Sequence, residues 1–167
     1  MELGKTKLQF AVGQHVVYPL QGVGIITNIR ERNVRGVQRM YYVIYLDISD
    51  MTVSIPVDKI KEAGVRKIVS AILAKKAIDG ISSKYEPVNV DWKARYQMNV
   101  ELVKDGTIDS VAKVVQILYH RSKIKELPVQ ERKLFDVAKR LLIDETALAL
   151  KKDKTEIEKL VFSKLEK

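Results

Sequence analysis

The residues best equipped for recognition chemistry sit in one short stretch. Trp92 is the only tryptophan of the chain; it follows Asp91 directly and is joined by Lys93, with Arg95 and Tyr96 about one helical turn further on. An Asp before a helical pattern caps the first turn by accepting from its free backbone N–H groups, so a helix over 92–103 is expected with the indole at its mouth. Arg132 and Lys133 open a later helix with a second basic pair. A flat apolar ring among cations can reach into a minor groove or against a frayed duplex edge while the cations hold phosphates. The competing reading is plain packing, the commonest fate of a tryptophan.

Other chemistries find less support. His15 and His120 are the only histidines, and no acid or hydroxyl stands at a telling distance from either. The carboxylates fall mostly beside Lys or Arg on helix faces, as solvated i,i+4 pairs do. Gly22-Val23-Gly24 lacks the remainder of a dinucleotide fingerprint, and neither a metal-ligand spacing nor a nucleophile elbow is present. A non-enzyme without cofactor or metal is the expectation.

To hold Trp92 in place the chain has 167 residues, enough for one compact domain or two small ones. It contains no cysteine, which removes disulfides and thiolate chemistry and fits a reducing compartment. The apolar runs are too short for a membrane span and the opening MELGKTKLQF lacks the apolar core of a leader, so a cytoplasmic protein is expected. The net charge is +9, with nine basic against six acidic residues in 1–66 and twenty-one against fifteen in 67–167. A surplus of that size favours a polyanionic partner, because each cation that neutralises a phosphate releases a counterion; a merely soluble basic protein is the alternative.

Residues 10–60 alternate with period two and are rich in Val, Ile and Tyr, which predicts strands near 14–18, 22–32, 40–46 and 52–56, with a hairpin turn at Val34-Arg35-Gly36. Short antiparallel strands in so few residues imply a strongly bent sheet of the SH3-like or Tudor-like kind. Met40, Tyr42, Ile44 and Leu46 then fill it, leaving Tyr41, Val43 and Tyr45 outside to be covered by the rest of the chain or by a partner. Beyond Gly64-Val65-Arg66 the period becomes helical. A helix over 67–78 with Ile68, Ile72 and Leu73 inward and Gly80 as its stop is followed by a loop over 81–90 and the Trp92 helix. Next come 108–125, with Val111, Val114, Val115 and Leu118 as its stripe, a helix after Pro128 with Leu134, Val137, Ala138, Leu141 and Leu142, and a short helix signalled by Asp153 and Glu156. The expected class is α+β, a small antiparallel β-barrel over 8–63 followed by a compact helical bundle over 66–167.

Several of these residues together resemble the CarD/CdnL family of bacterial transcription regulators. Phe10-Ala11-Val12-Gly13, Val16-Val17-Tyr18-Pro19 and Gly22 are similar to the family's opening, found also in the polymerase-binding module of transcription-repair coupling factors. Trp92, Arg95, Tyr96 and Asn99, the 111–118 helix and Leu148-Ala149-Leu150 follow in the family's order, so the resemblance spans about residues 8–150. It implies a Tudor-like N-terminal module that binds the RNA polymerase β subunit and a helical domain on promoter DNA at the upstream edge of the bubble, largely independent of sequence. Trp92 would be a wedge there, Arg95 and Arg132 would face the DNA, and Arg32 would meet polymerase. Ser54 stands where some relatives carry Arg in the last strand of that module. Together with the outward face, this makes Arg32, Tyr41, Val43, Tyr45 and Ser54 the candidate polymerase contacts, and Trp92, Lys93, Arg95, Tyr96, Arg132 and Lys133 the candidate DNA contacts. Two other classes stay open on the residues alone: a sequence-specific repressor using a helix-turn-helix, and a protein-interaction adaptor without DNA binding.

Overall fold

The computed structural model describes residues 7–167, so residues 1–6 of the opening MELGKTKLQF, on which the expectation of no leader rests, lie outside the described part. The chain divides into two compact units, Met1–Lys67 and Ile68–Lys167. The first is a five-stranded antiparallel sheet and the second holds five helices, an α+β arrangement.

The strands are β1 (His15–Tyr18), β2 (Gly22–Val34), β3 (Val37–Leu46), β4 (Met51–Pro56) and β5 (Arg66–Lys67), in the order β4-β3-β2-β1-β5. The β2–β3 hairpin closes through Arg35 and Gly36, both with positive φ (54° and 80°), the mirror-image turn whose twist matches its strands. The Asn33 side chain fixes it by accepting from Gly36 N at 2.9 Å. Between Ile26 and Asn28 the register shifts, so Thr27 is an extra residue that increases the bend of β2. Gly24 faces this bend, where a Cβ would lie 2.8 Å from Ile44 Cγ2.

The core of this unit is the buried cluster Phe10, Val16, Ile26, Tyr42, Ile44, Leu46, Ile55, Val57, Ile60 and Val65. Tyr42 is fully buried, and its hydroxyl accepts from Gln9 N at 2.8 Å and Phe10 N at 3.2 Å, tying the segment before β1 to the core. Without those partners a buried phenol would be costly.

The helices are α1 (Ala71–Gly80), α2 (Trp92–Asp105), α3 (Ile108–Ile124), α4 (Val129–Leu150) and α5 (Lys154–Leu165). The stripe Val111, Val114, Val115 and Leu118 is buried as its spacing predicts, as are Leu134, Ala138, Leu141 and Leu142. Val137, expected in that stripe, is exposed. The first helix departs most. Arg66 and Lys67 pair with β1, so α1 begins only after Ser70, whose side chain caps Leu73 N, and it runs through Gly80 instead of stopping before it. Ala74, Ala77 and Ile78 face inward, while Ile72 is 81% exposed and Leu73 is also exposed. Small alanines allow a close approach of α1 to its neighbours, which bulky Ile72 and Leu73 would prevent. Glu145 on α4, itself buried, accepts from Val69 N at 3.1 Å and so anchors the entry to α1. No helix among the described residues is long and apolar enough to cross a membrane.

Candidate nucleic-acid interface and docking face

Trp92 is the first residue of α2 and is 37% exposed. Asp91 caps the helix, its carboxylate accepting from Ala94 N at 2.8 Å, and Gly106 closes the other end at φ 75°. The apolar Val88 and Val90 before it are exposed as well, and the ammonium of Lys93 lies 6.0 Å from the centre of the indole ring. An aromatic surface that a planar ring could stack upon is therefore edged by a cation.

Arg95 is placed otherwise than expected. It is 7% exposed and grips fully buried Glu131 with both arms, Nε to Oε1 at 2.6 Å and a terminal nitrogen to Oε2 at 2.7 Å. Hydrogen bonding to Glu131 makes this guanidinium harder to deprotonate than usual, against the opposing effect of burial, with the negative charges of Glu131 and Asp91 adding in the same sense. With its charge paired to Glu131 through two of its five N–H donors and only 7% of the residue exposed, Arg95 is poorly placed to meet a phosphate, and the expectation of a backbone contact by Arg95 is revised to a structural role. The pair joins the first turns of α2 and α4, so it sets the helix start that carries Trp92 next to the one that carries Arg132 and Lys133.

Arg132 and Lys133 are both exposed. Arg132 reaches back to Glu126 at 2.8 Å, a pair open to solvent and therefore weak. Tyr96 is half-buried, and Asn99, one turn past Arg95, is buried with its Nδ2 lacking a partner among the described residues. Such an orphan donor costs about 1–3 kcal/mol.

On the first unit, the outward face of the β2–β3 hairpin carries Arg30 opposite Tyr41 and Arg32 opposite Arg39. Like charges directly across a ladder repel. Arg39 is relieved by Asp58 at 3.0 Å, and Arg32 lies 5.8 Å over the Tyr41 ring. Tyr41 and Tyr45 are half-buried and Ser54 is exposed on edge strand β4. Tyr45 donates to Asp50 at 2.7 Å. Val43 shares this face between Asn28 and Ser54 but is only 8% exposed, so it is withdrawn from the surface a partner could touch. Arg30 and Arg39 share this face without having been expected there, and two-residue spacing from Arg32 and Tyr41 is the sequence signal that places them on it.

Comparisons with known proteins find relatives of both units. A family model described as CarD-like/TRCF RID domain matches residues 10–69, and one described as CarD, C-terminal domain, matches residues 76–162. "Putative transcription factor YdeB" of Bacillus subtilis (strain 168) is 39% identical over 137 residues, covering 81% of this chain and 89% of that protein. The solution NMR structure of the 72-residue N-terminal domain of Myxococcus xanthus CarD is 36% identical over 40% of this chain and 89% of its own, with a TM-score of 0.31. With one matched model on each of its two units and a relative of this identity along most of its length, the chain belongs to the CarD/CdnL family.

Proposed function

We propose that the chain is a transcription regulator that docks on the β subunit of RNA polymerase through its sheet unit and stabilises the open promoter complex through its helical unit. The observation that carries this reading is a partly exposed tryptophan at a capped helix start, edged by Lys93, on a helix whose first turn the buried Arg95–Glu131 pair joins to the one bearing Arg132 and Lys133. Docking through Arg30, Arg32, Tyr41, Tyr45 and Ser54 turns DNA contact into an effectively intramolecular step, so weak affinity for DNA suffices. Lys93, Arg132 and Lys133 then neutralise phosphates without reading sequence, and Trp92 stacks at the upstream edge of the bubble. Only a preference for the melted state can shift the equilibrium, and one aromatic–base stack contributes about 1–3 kcal/mol.

The test is the lifetime of the open complex with Trp92→Ala. Loss of the stack shortens that lifetime at least about fivefold while polymerase is still bound. An unchanged lifetime with polymerase binding intact would sink the wedge. Arg32→Glu should lose polymerase in a pull-down and keep its affinity for free duplex; full retention of polymerase removes Arg32 from the docking face.

A further inference from the structure

A cleft in the helical unit takes no part in the reading above. It opens between α1 and α3 behind residues 83–88 and holds about 1260 Å³, more than the roughly 1,000 Å³ that bounds ordinary small-molecule sites. Its floor is apolar and buried at Ala77, Ile81 and Ala112. Around the rim stand Lys75, Lys76, Lys84 and Lys113, all exposed. Of the acids nearby, Asp79 is engaged by Lys164 at 3.1 Å, leaving Glu86 and Asp109 against four lysines. Ile72 and Val88 also line it, both exposed.

The wall is held in place before anything binds. The Gln116 side chain donates to Ile81 O at 3.0 Å and Ser83 O at 2.8 Å, and Tyr85 stacks on His120 with ring centres 4.9 Å apart. A pre-formed cleft loses little to ordering on binding.

We propose that this cleft docks an acidic segment of a partner protein, one whose apolar side chains pack on Ile72 and Val88 while its carboxylates meet the four lysines. Charge complementarity and the unshielded apolar flanks together select that occupant. Nucleic acid would use the lysines but leave Ile72 and Val88 in water, and its closely spaced phosphates would face Glu86 and Asp109. A small anion leaves most of the volume unfilled. A second copy of this chain brings a net charge of +9 to a basic rim.

The probe is a fluorescein-labelled peptide with Leu at i, i+3, i+4 and i+7 and Asp or Glu elsewhere, the pattern of an amphipathic helix laid in a groove. Anisotropy titrations of the full chain compare it with a scrambled peptide of the same composition. The ordered peptide is expected to bind at least about tenfold more tightly. Lys75→Glu/Lys113→Glu and, separately, Ile72→Asp should erase that difference, with far-ultraviolet circular dichroism confirming the folded state, while Lys159→Glu/Lys167→Glu leaves it. Equal binding of both peptides overturns the proposal. So does displacement of the ordered peptide by duplex DNA or ATP at the same lysines, or a dimer in sedimentation that Ile72→Asp dissolves.

Discussion

Removing the carboxylate of Glu131 asks whether Arg95 is a structural cation or a DNA-facing one. The two groups meet in a bidentate geometry with almost no solvent access. At a charge separation of about 4 Å and an effective dielectric of about 20, their attraction is about 4 kcal/mol. Taking both ions out of water costs several kcal/mol each, so the pair as a whole does little better than an apolar replacement of the same shape. Removing one partner is different, because the other stays buried with its charge uncompensated. Glu131→Ala and Arg95→Ala should each cost about 3–5 kcal/mol, whereas Arg95→Met/Glu131→Leu should return to within about 1 kcal/mol of the unaltered chain.

Trp92 makes the measurement specific, since the only indole lies in the helical unit and its fluorescence follows the unfolding of that unit. At roughly 4–8 °C per kcal/mol for about 100 residues, each single variant lowers Tm by upwards of about 12 °C. A second readout is the salt dependence of duplex binding, whose log–log slope falls by about 0.9 for each phosphate contact removed. The apolar double variant should keep that slope, and Lys93→Ala should reduce it. If Arg95→Ala leaves Tm in place and lowers the slope by about 0.9, the guanidinium is a phosphate ligand and the structural assignment fails.

Other expectations are local. Asp91→Ala removes the cap under Trp92 and should cost about 1 kcal/mol in the fluorescence-monitored transition; an unmoved midpoint would show that the cap contributes nothing. Gly24→Ala forces a Cβ against Ile44 Cγ2 at 2.8 Å and Tyr45 O at 2.9 Å, and should destabilise the sheet unit by about 1–3 kcal/mol in urea. The hydrogen bond to Asp50, followed by desolvation and the charges of Asp50 and Asp47, raises the Tyr45 phenol above its usual pKa. A raised folded-state value means that this contribution is fully present below the ordinary tyrosine pKa and fades as pH climbs through the folded one. Asp50→Asn should move the Tyr45 ring titration, followed by NMR, back toward the ordinary value. A titration that does not move would count against the Asp50 bond.

What the sequence disclosed and what it concealed divide along the range of the interactions. The α3 stripe at Val111, Val114, Val115 and Leu118, the cap at Asp91 and the Arg35-Gly36 turn each depend on residues within a few positions of one another, and each was readable. For α1 two faces obeyed the helical period, Ile68 with Ile72 and Leu73 or Ala74 with Ala77 and Ile78. Hydrophobicity chose the bulky face, whereas close packing chose the small one, and no rule internal to the helix could arbitrate. Arg95 was misplaced for a related reason. Its partner is 36 positions away in another helix, so a charge read as reaching for phosphate was already neutralised within the fold. That same error clarifies the site. The cation lost from the proposed DNA surface is what fixes the start of α2 against the start of α4, and the cations that the proposal leaves to meet phosphate, Lys93, Arg132 and Lys133, are all exposed. A surface that keeps its rigid cation inside and its mobile ones outside can hold an aromatic ring at a set place while tolerating any sequence beneath it, which is the combination that a wedge at a strand junction requires.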